Sequence, residues 1–90
     1  MIDLNANATI AGERYYARID QYDRNGYVSV SSSQGDSMIR VASADVHSLA
    51  VQVSKGIATD LPVGELAILG IAGLVFTAER RGTAPMSDFI

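Results

Sequence analysis

At 90 residues, with 48% apolar and 19% charged side chains, the chain has the composition of one small folded domain and not that of a disordered segment. Its formal net charge is −3, from 10 acidic and 7 basic residues, which argues against a general binder of phosphate backbones, where clustered Lys and Arg supply the affinity. The absence of Cys excludes a disulfide framework, a Cys-based zinc site and a thiol nucleophile.

Residues 2–10 alternate apolar and polar side chains without a break, the mark of a half-buried strand. Ile2, Leu4, Ala6, Ala8 and Ile10 are expected inward, and Asp3, Asn5, Asn7 and Thr9 outward. Ala11-Gly12 offers a turn. A second strand is expected over 13–24 and a third over 27–33, joined at Asn25-Gly26. That pair is the commonest one in a two-residue type I′ loop, where both central residues need φ > 0. Such a loop sets the register: Arg24 opposite Tyr27, Tyr22 opposite Ser29, Asp20 opposite Ser31 and Arg18 opposite Ser33. One face then carries Tyr15, Ala17, Ile19, Val28 and Val30, directed at the core. The other carries Tyr16, Arg18, Tyr22, Arg24 and Tyr27 with Ser29, Ser31 and Ser33.

Gln34-Gly35-Asp36-Ser37 reads as a turn, and 38–42 as a fourth strand with Ile39 and Val41 inward and Arg40 outward. Ser43 has the chemistry of an N-cap, with Asp45 in the first turn where a negative charge suits the helix dipole. Val46, Leu49, Ala50, Val53 and Ile57 recur at helical spacing, so a helix is expected over about 44–55, ending near Gly56. A strand over 49–53 is the competing reading, because Leu-Ala-Val-Gln-Val also alternates. Thr59 or Asp60 caps the next element, and Pro62 fits a first turn. A second helix is expected over about 64–81, closed by Glu79-Arg80-Arg81 and then Gly82. Residues 83–90 read as an irregular tail whose Phe89-Ile90 end is apolar enough to dock.

The stretch from Leu66 to Ala78 contains no charged side chain, and a helix apolar on every side needs cover on every side. Three arrangements supply it. The helix can lie in the core of one chain. It can be shared with a second copy through Ala67, Gly70, Gly73 and Leu74, the first three allowing close backbone approach. Or it can contact a membrane, although the run falls short of the roughly 20 residues that span a bilayer.

Catalytic and metal signals are weak. His47 is the lone histidine, and Asp45-x-His47 on a helix would direct the two side chains to different faces, so a solvent-exposed His47 is expected. Asp20 and Asp23 fall on opposite faces of their strand and make no acid–base pair. Arg18 and Arg24 flank Asp20 as expected surface ion pairs. Gly70-x-x-Gly73 lies inside an apolar helix and lacks the strand–loop–helix context of a phosphate cradle. No cofactor or metal is expected.

These readings converge on an α+β fold in a single domain over 1–90, a four-stranded antiparallel meander followed by two helices on one face. The expected function is non-enzymatic: a small protein-interaction domain, in the manner of an inhibitor or accessory subunit, phage-encoded ones included, and a homodimer. Tyr and Arg are enriched at binding hot spots, which makes Tyr16, Arg18, Tyr22, Arg24, Tyr27 and Arg40 the expected partner-binding set. A solvated sheet face is the plain alternative for the same residues. Other functional alternatives are a nucleic-acid-binding regulator, a small-molecule-binding or enzymatic domain, and a membrane-associated protein; the acidity and single Lys55 disfavour nucleic acid, and the short apolar run disfavours membrane. No basic stretch followed by an apolar run opens the sequence, so no secretory signal is expected and the cytoplasm is the default compartment.

Overall fold

Unbroken alternation carries the first strand directly from sequence into structure. In the computed structural model, which describes residues 2–57 and 59–80 with Arg80 by its backbone alone, β1 (Ile2–Ile10), β2 (Glu13–Gln21), β3 (Gly26–Ser32) and β4 (Gly35–Val41) precede α1 (Val46–Ser54) and α2 (Val63–Arg80). The strands form one antiparallel sheet in the order β1-β2-β3-β4, so each pairs with its neighbour in sequence. The fold is α+β, as expected. The expected stop of the second helix at Arg81-Gly82 and the tail with Phe89-Ile90 lie outside the described residues.

The turns depart from expectation in an instructive way. The left-handed pair sits at Ala11 (φ 52°) and Gly12 (φ 84°), which close β1 onto β2 with Ile10 opposite Glu13 as a two-residue loop of the type I′ kind. Asn25-Gly26 does not play this part. β2 ends at Gln21, paired with Gly26, and residues 22–25 form a four-residue loop held by the Tyr22 N–H donating to the Asn25 carbonyl at 2.8 Å. Gly26 is buried in β3, and a Cβ there would strike the Val46 side chain at the start of α1. The glycine therefore admits a close approach and does not supply a positive φ. The third turn is Ser33-Gln34, followed by Gly35 at φ 129°; Gly35, Asp36 and Ser37, expected in a turn, belong to β4.

Gln21 is the organiser of this end of the sheet. Its Nε2 donates to the carbonyls of Tyr22 (2.8 Å), Asn25 (3.0 Å) and Ser43 (2.9 Å), and its Oε1 accepts the Val46 N–H at 2.8 Å. One amide thus closes the β2–β3 loop, anchors the β4–α1 connection and satisfies a first-turn donor of α1 that has no intrahelical partner. The N-cap of α1 is Asp45, whose carboxylate accepts from Ser48 N–H at 3.0 Å; Ser43, expected in that role, accepts from Asp45 N–H one turn earlier at 3.2 Å. The segment 49–53 is helical, which removes the strand alternative. α1 ends on Gly56 at φ 83°, with Gly56 N–H donating to Val53 and Ile57 N–H to Gln52, the Schellman arrangement.

Both helices lie on one side of the sheet. The core joins Ala6, Ala8, Ala17, Ile19, Val28, Val30 and Val41 of the strands to Val46 and Ala50 of α1 and Leu69, Ala72, Val75 and Phe76 of α2. The helices meet across Gly73, where a Cβ would land on the Ala50 carbonyl. This close backbone contact absorbs part of the apolar surface of α2 within the chain. Among the described residues, no helix is long and apolar enough to cross a membrane.

Candidate functional site

The strand pairings differ from the expected ones by four residues: Asp20 faces Tyr27, Arg18 faces Ser29 and Tyr16 faces Ser31. An even shift keeps every side chain on its expected face, because the strand period is two, so the outward set survives while its neighbours change. Three rows now cross the sheet on the side away from the helices. One runs Asp3, Asp20, Tyr27, Arg40; the next Asn5, Arg18, Ser29, Met38; the third Asn7, Tyr16, Ser31, Asp36.

The first row sets two carboxylates directly opposite each other, which is repulsive unless a cation intervenes. Arg18 intervenes. Its Nε and Nη2 donate to the two oxygens of Asp3 at 3.1 and 2.8 Å, and Nε lies 3.4 Å from Asp20 Oδ1. The hydrogen bonds from Arg18 to Asp3, followed by the charge of Asp20, hold its guanidinium above its ordinary value. Asp20 Oδ1 is inaccessible to solvent and, apart from this ion pair, accepts no hydrogen bond, so Arg18 is its compensation. Arg24 takes no part in this cluster. It sits in the 22–25 loop, exposed, beside Asp23 and residues 42–44.

Aromatic and apolar groups surround the charged centre. Tyr16, Tyr22 and Tyr27 are 37%, 45% and 39% exposed, and Met38 is 69% exposed. Tyr22, displaced from the strand into the loop, still reaches this side: its ring meets Tyr27 edge to face, centroids 5.8 Å apart. Arg40 donates to Asn25 Oδ1 at 3.0 Å, tying β4 to the same loop. Met38 escaped the sequence reading, although its outward position followed from Arg40 two residues on. Of the sequence-expected residues, Tyr16, Arg18, Tyr22, Tyr27 and Arg40 are brought together, and Arg24 stands apart at the end of the sheet.

The residues expected at a helix-mediated contact between copies lie on one side of α2 but differ in burial. Ala67 and Leu74 are exposed, Gly70 is half-buried beside Val53, and Gly73 is buried beneath Ala50 and Ser54 of α1. His47, expected in solvent, is half-buried and stacks edge to face on Phe76 with ring centroids 5.0 Å apart. Among the described residues no three His, Asp or Glu side chains gather closely enough to hold a metal ion. No protein-family model, curated protein or solved structure matches the chain.

Proposed function

We propose that the chain is a non-enzymatic protein-interaction domain that takes a protein partner on its open sheet face, with Tyr16, Tyr22, Tyr27 and Met38 as contact area and Arg18 and Arg40 as polar anchors. The observation that carries this reading is a sheet face that no described helix covers, with three half-exposed tyrosines and an exposed methionine around one ion-paired arginine. Rigid aromatic rings add contact area at low entropic cost, and Arg offers a planar fork of donors. An inhibitor or accessory subunit working in the cytoplasm fits this chemistry. A nucleic-acid role is less well supported, because Arg18 already answers two carboxylates and adds little free positive charge to the face.

The test is site-specific photo-crosslinking. A benzophenone amino acid at Tyr27 in the intact protein, expressed in its source cells, should yield a defined cross-linked protein identifiable by mass spectrometry. The same probe at Gln52, on the exposed side of α1, should not yield it. Purified partner should then bind wild type, with Tyr16→Ser and Tyr22→Ser together weakening binding more than tenfold while far-UV circular dichroism is unchanged. A partner that cross-links equally from both positions, or binding untouched by the double substitution, removes the proposal. Cross-links to nucleic acid alone would favour the regulator reading.

A further inference from the structure

Among the described residues, the two outermost strands differ in that a helix side chain reaches one free backbone group of β1 and none of β4. In β1 the closing pair Ile10/Glu13 is hydrogen-bonded, so alternation turns the N–H and C=O of Asp3, Asn5, Asn7 and Thr9 away from β2. Asn7 N–H is found donating to Glu79 Oε2 of α2 at 2.8 Å, which agrees with that phase. In β4 the closing pair Ser32/Gly35 sets the same alternation, and Asp36, Met38 and Arg40 turn their N–H and C=O to the free side. Among the described residues no hydrogen bond reaches those groups. β4 has no Pro, no Lys and no charge pointing inward, and its two charged side chains, Asp36 and Arg40, are of opposite sign.

We propose that this edge pairs with itself: a second copy of the chain lays its β4 antiparallel to the first about a two-fold axis at Met38, fusing the two sheets into one. The charges carry the choice of occupant. Asp36 and Arg40 flank Met38 at equal spacing on the same face, so this axis sets each Asp36 opposite the Arg40 of the second copy. Axes at Ser37 or Ile39 also keep the backbone in phase, but they place Met38 opposite Asp36 or Arg40 and leave the charges unmatched. Among the described residues Asp36 has no side-chain hydrogen bond or ion pair. Arg40 uses one Nη2 bond on Asn25 and keeps further donors of its fork. Met38, exposed over 69% of its surface, meets its own copy on the axis, and about six main-chain hydrogen bonds form across the join. On the helix side Ser37 would face Ile39 of the second copy. Among the described residues, open clefts bordered by Ser37, Ile68 and Ile71, and by Arg40, Leu61 and Pro62, adjoin that side of the edge. This inference does not depend on the partner-docking role of the face.

Sedimentation equilibrium on the full chain tests it. Wild type should approach twice its 9.5 kDa mass with rising concentration. Asp36→Arg and Arg40→Asp each set like charges across the join twice, and each should raise the dimer dissociation constant about tenfold or more. Mixed in equal amounts, the two variants regain opposite charges at both positions and should form a heterodimer with near wild-type affinity, which also shows that each is folded. A wild type that stays monomeric at high concentration overturns the proposal, as does failure of the mixture to recover. A dimer that survives both edge variants but dissociates with Leu74→Arg overturns it in favour of an α2 contact.

Discussion

The two faces of the sheet use the same strands at alternating positions and meet opposite demands. Along β2, Ala17 and Ile19 are sealed beneath the helices, while Tyr16 and Arg18 stand in solvent between them. The helix-side face is closed to the point that Gly26 and Gly73 are needed to let Val46 and Ala50 approach. The other face has no cover among the described residues, and its order rests on the guanidinium groups of Arg18 and Arg40 and a tyrosine pair. The contrast teaches that folding constrains one set of alternate residues and leaves the other free. Large side chains on the free set are not demanded by core packing.

Substitutions along adjacent positions should break or sharpen this contrast, and they rank by depth. Ile19→Ala empties the centre of the core and should cost about 4 kcal/mol in urea unfolding, enough to threaten a domain of this size. Gly73→Ala drives a methyl into the α1 backbone and should cost about 3 kcal/mol, with loss of the His47–Phe76 ring contact visible by NMR. Glu79→Ala leaves the Asn7 N–H without its carboxylate and should cost about 1 kcal/mol, seen first as faster amide exchange at Asn7. Arg18→Ala, one residue from Ile19, leaves Asp3 and Asp20 facing each other without their cation and should lower the urea midpoint measurably, though far less than Ile19→Ala; a loss as large as that of Ile19→Ala would mean that the open face also holds the fold together.

The smallest effect concerns Glu13. Its carboxylate accepts from Ser33 Oγ at 2.6 Å and Ser33 N–H at 3.0 Å, and these bonds hold it below its ordinary value of 4.5. The lowered folded-state value means its contribution is present above the unfolded value and fades as pH falls through the folded one. The small stability difference between wild type and Glu13→Gln should therefore be seen near neutral pH and vanish in acid.

Much of the fold was legible because the strands alternate strictly and the helices carry apolar residues at helical spacing. Face membership was legible too, since a four-residue slip changes neighbours without changing sides. The register itself was not legible. Asn25-Gly26 has the local chemistry of a tight turn, but Gly26 is claimed by Val46 from a helix twenty residues away, and the Gln21 amide stabilises a longer loop. The signal for Gln21 was present, a polar side chain on the apolar side of β2, yet its four partners are brought together only by the finished fold. Ser43 and Asp45 were both plausible caps; the one that captures Ser48 N–H is decided by where β4 releases the chain. At the site, the Asp3–Arg18 contact required the β1–β2 pairing, which follows from Ala11-Gly12, whereas Tyr22 joins Tyr27 only because the loop folds back.

The bond between Asn7 and Glu79 joins groups 72 positions apart, whereas every strand pairing joins neighbours in the chain. This gives folding a built-in sequence in time. The meander can zip from local hairpins, a fast kind of closure, but β1 reaches its finished state only when the last turns of α2 arrive. During synthesis β1 is made before the helix that secures its Asn7 N–H, and until α2 arrives that part of its outer edge is open to pairing with another nascent chain. The Asn-rich outer positions of β1, poor strand formers on their own, are well suited to that wait.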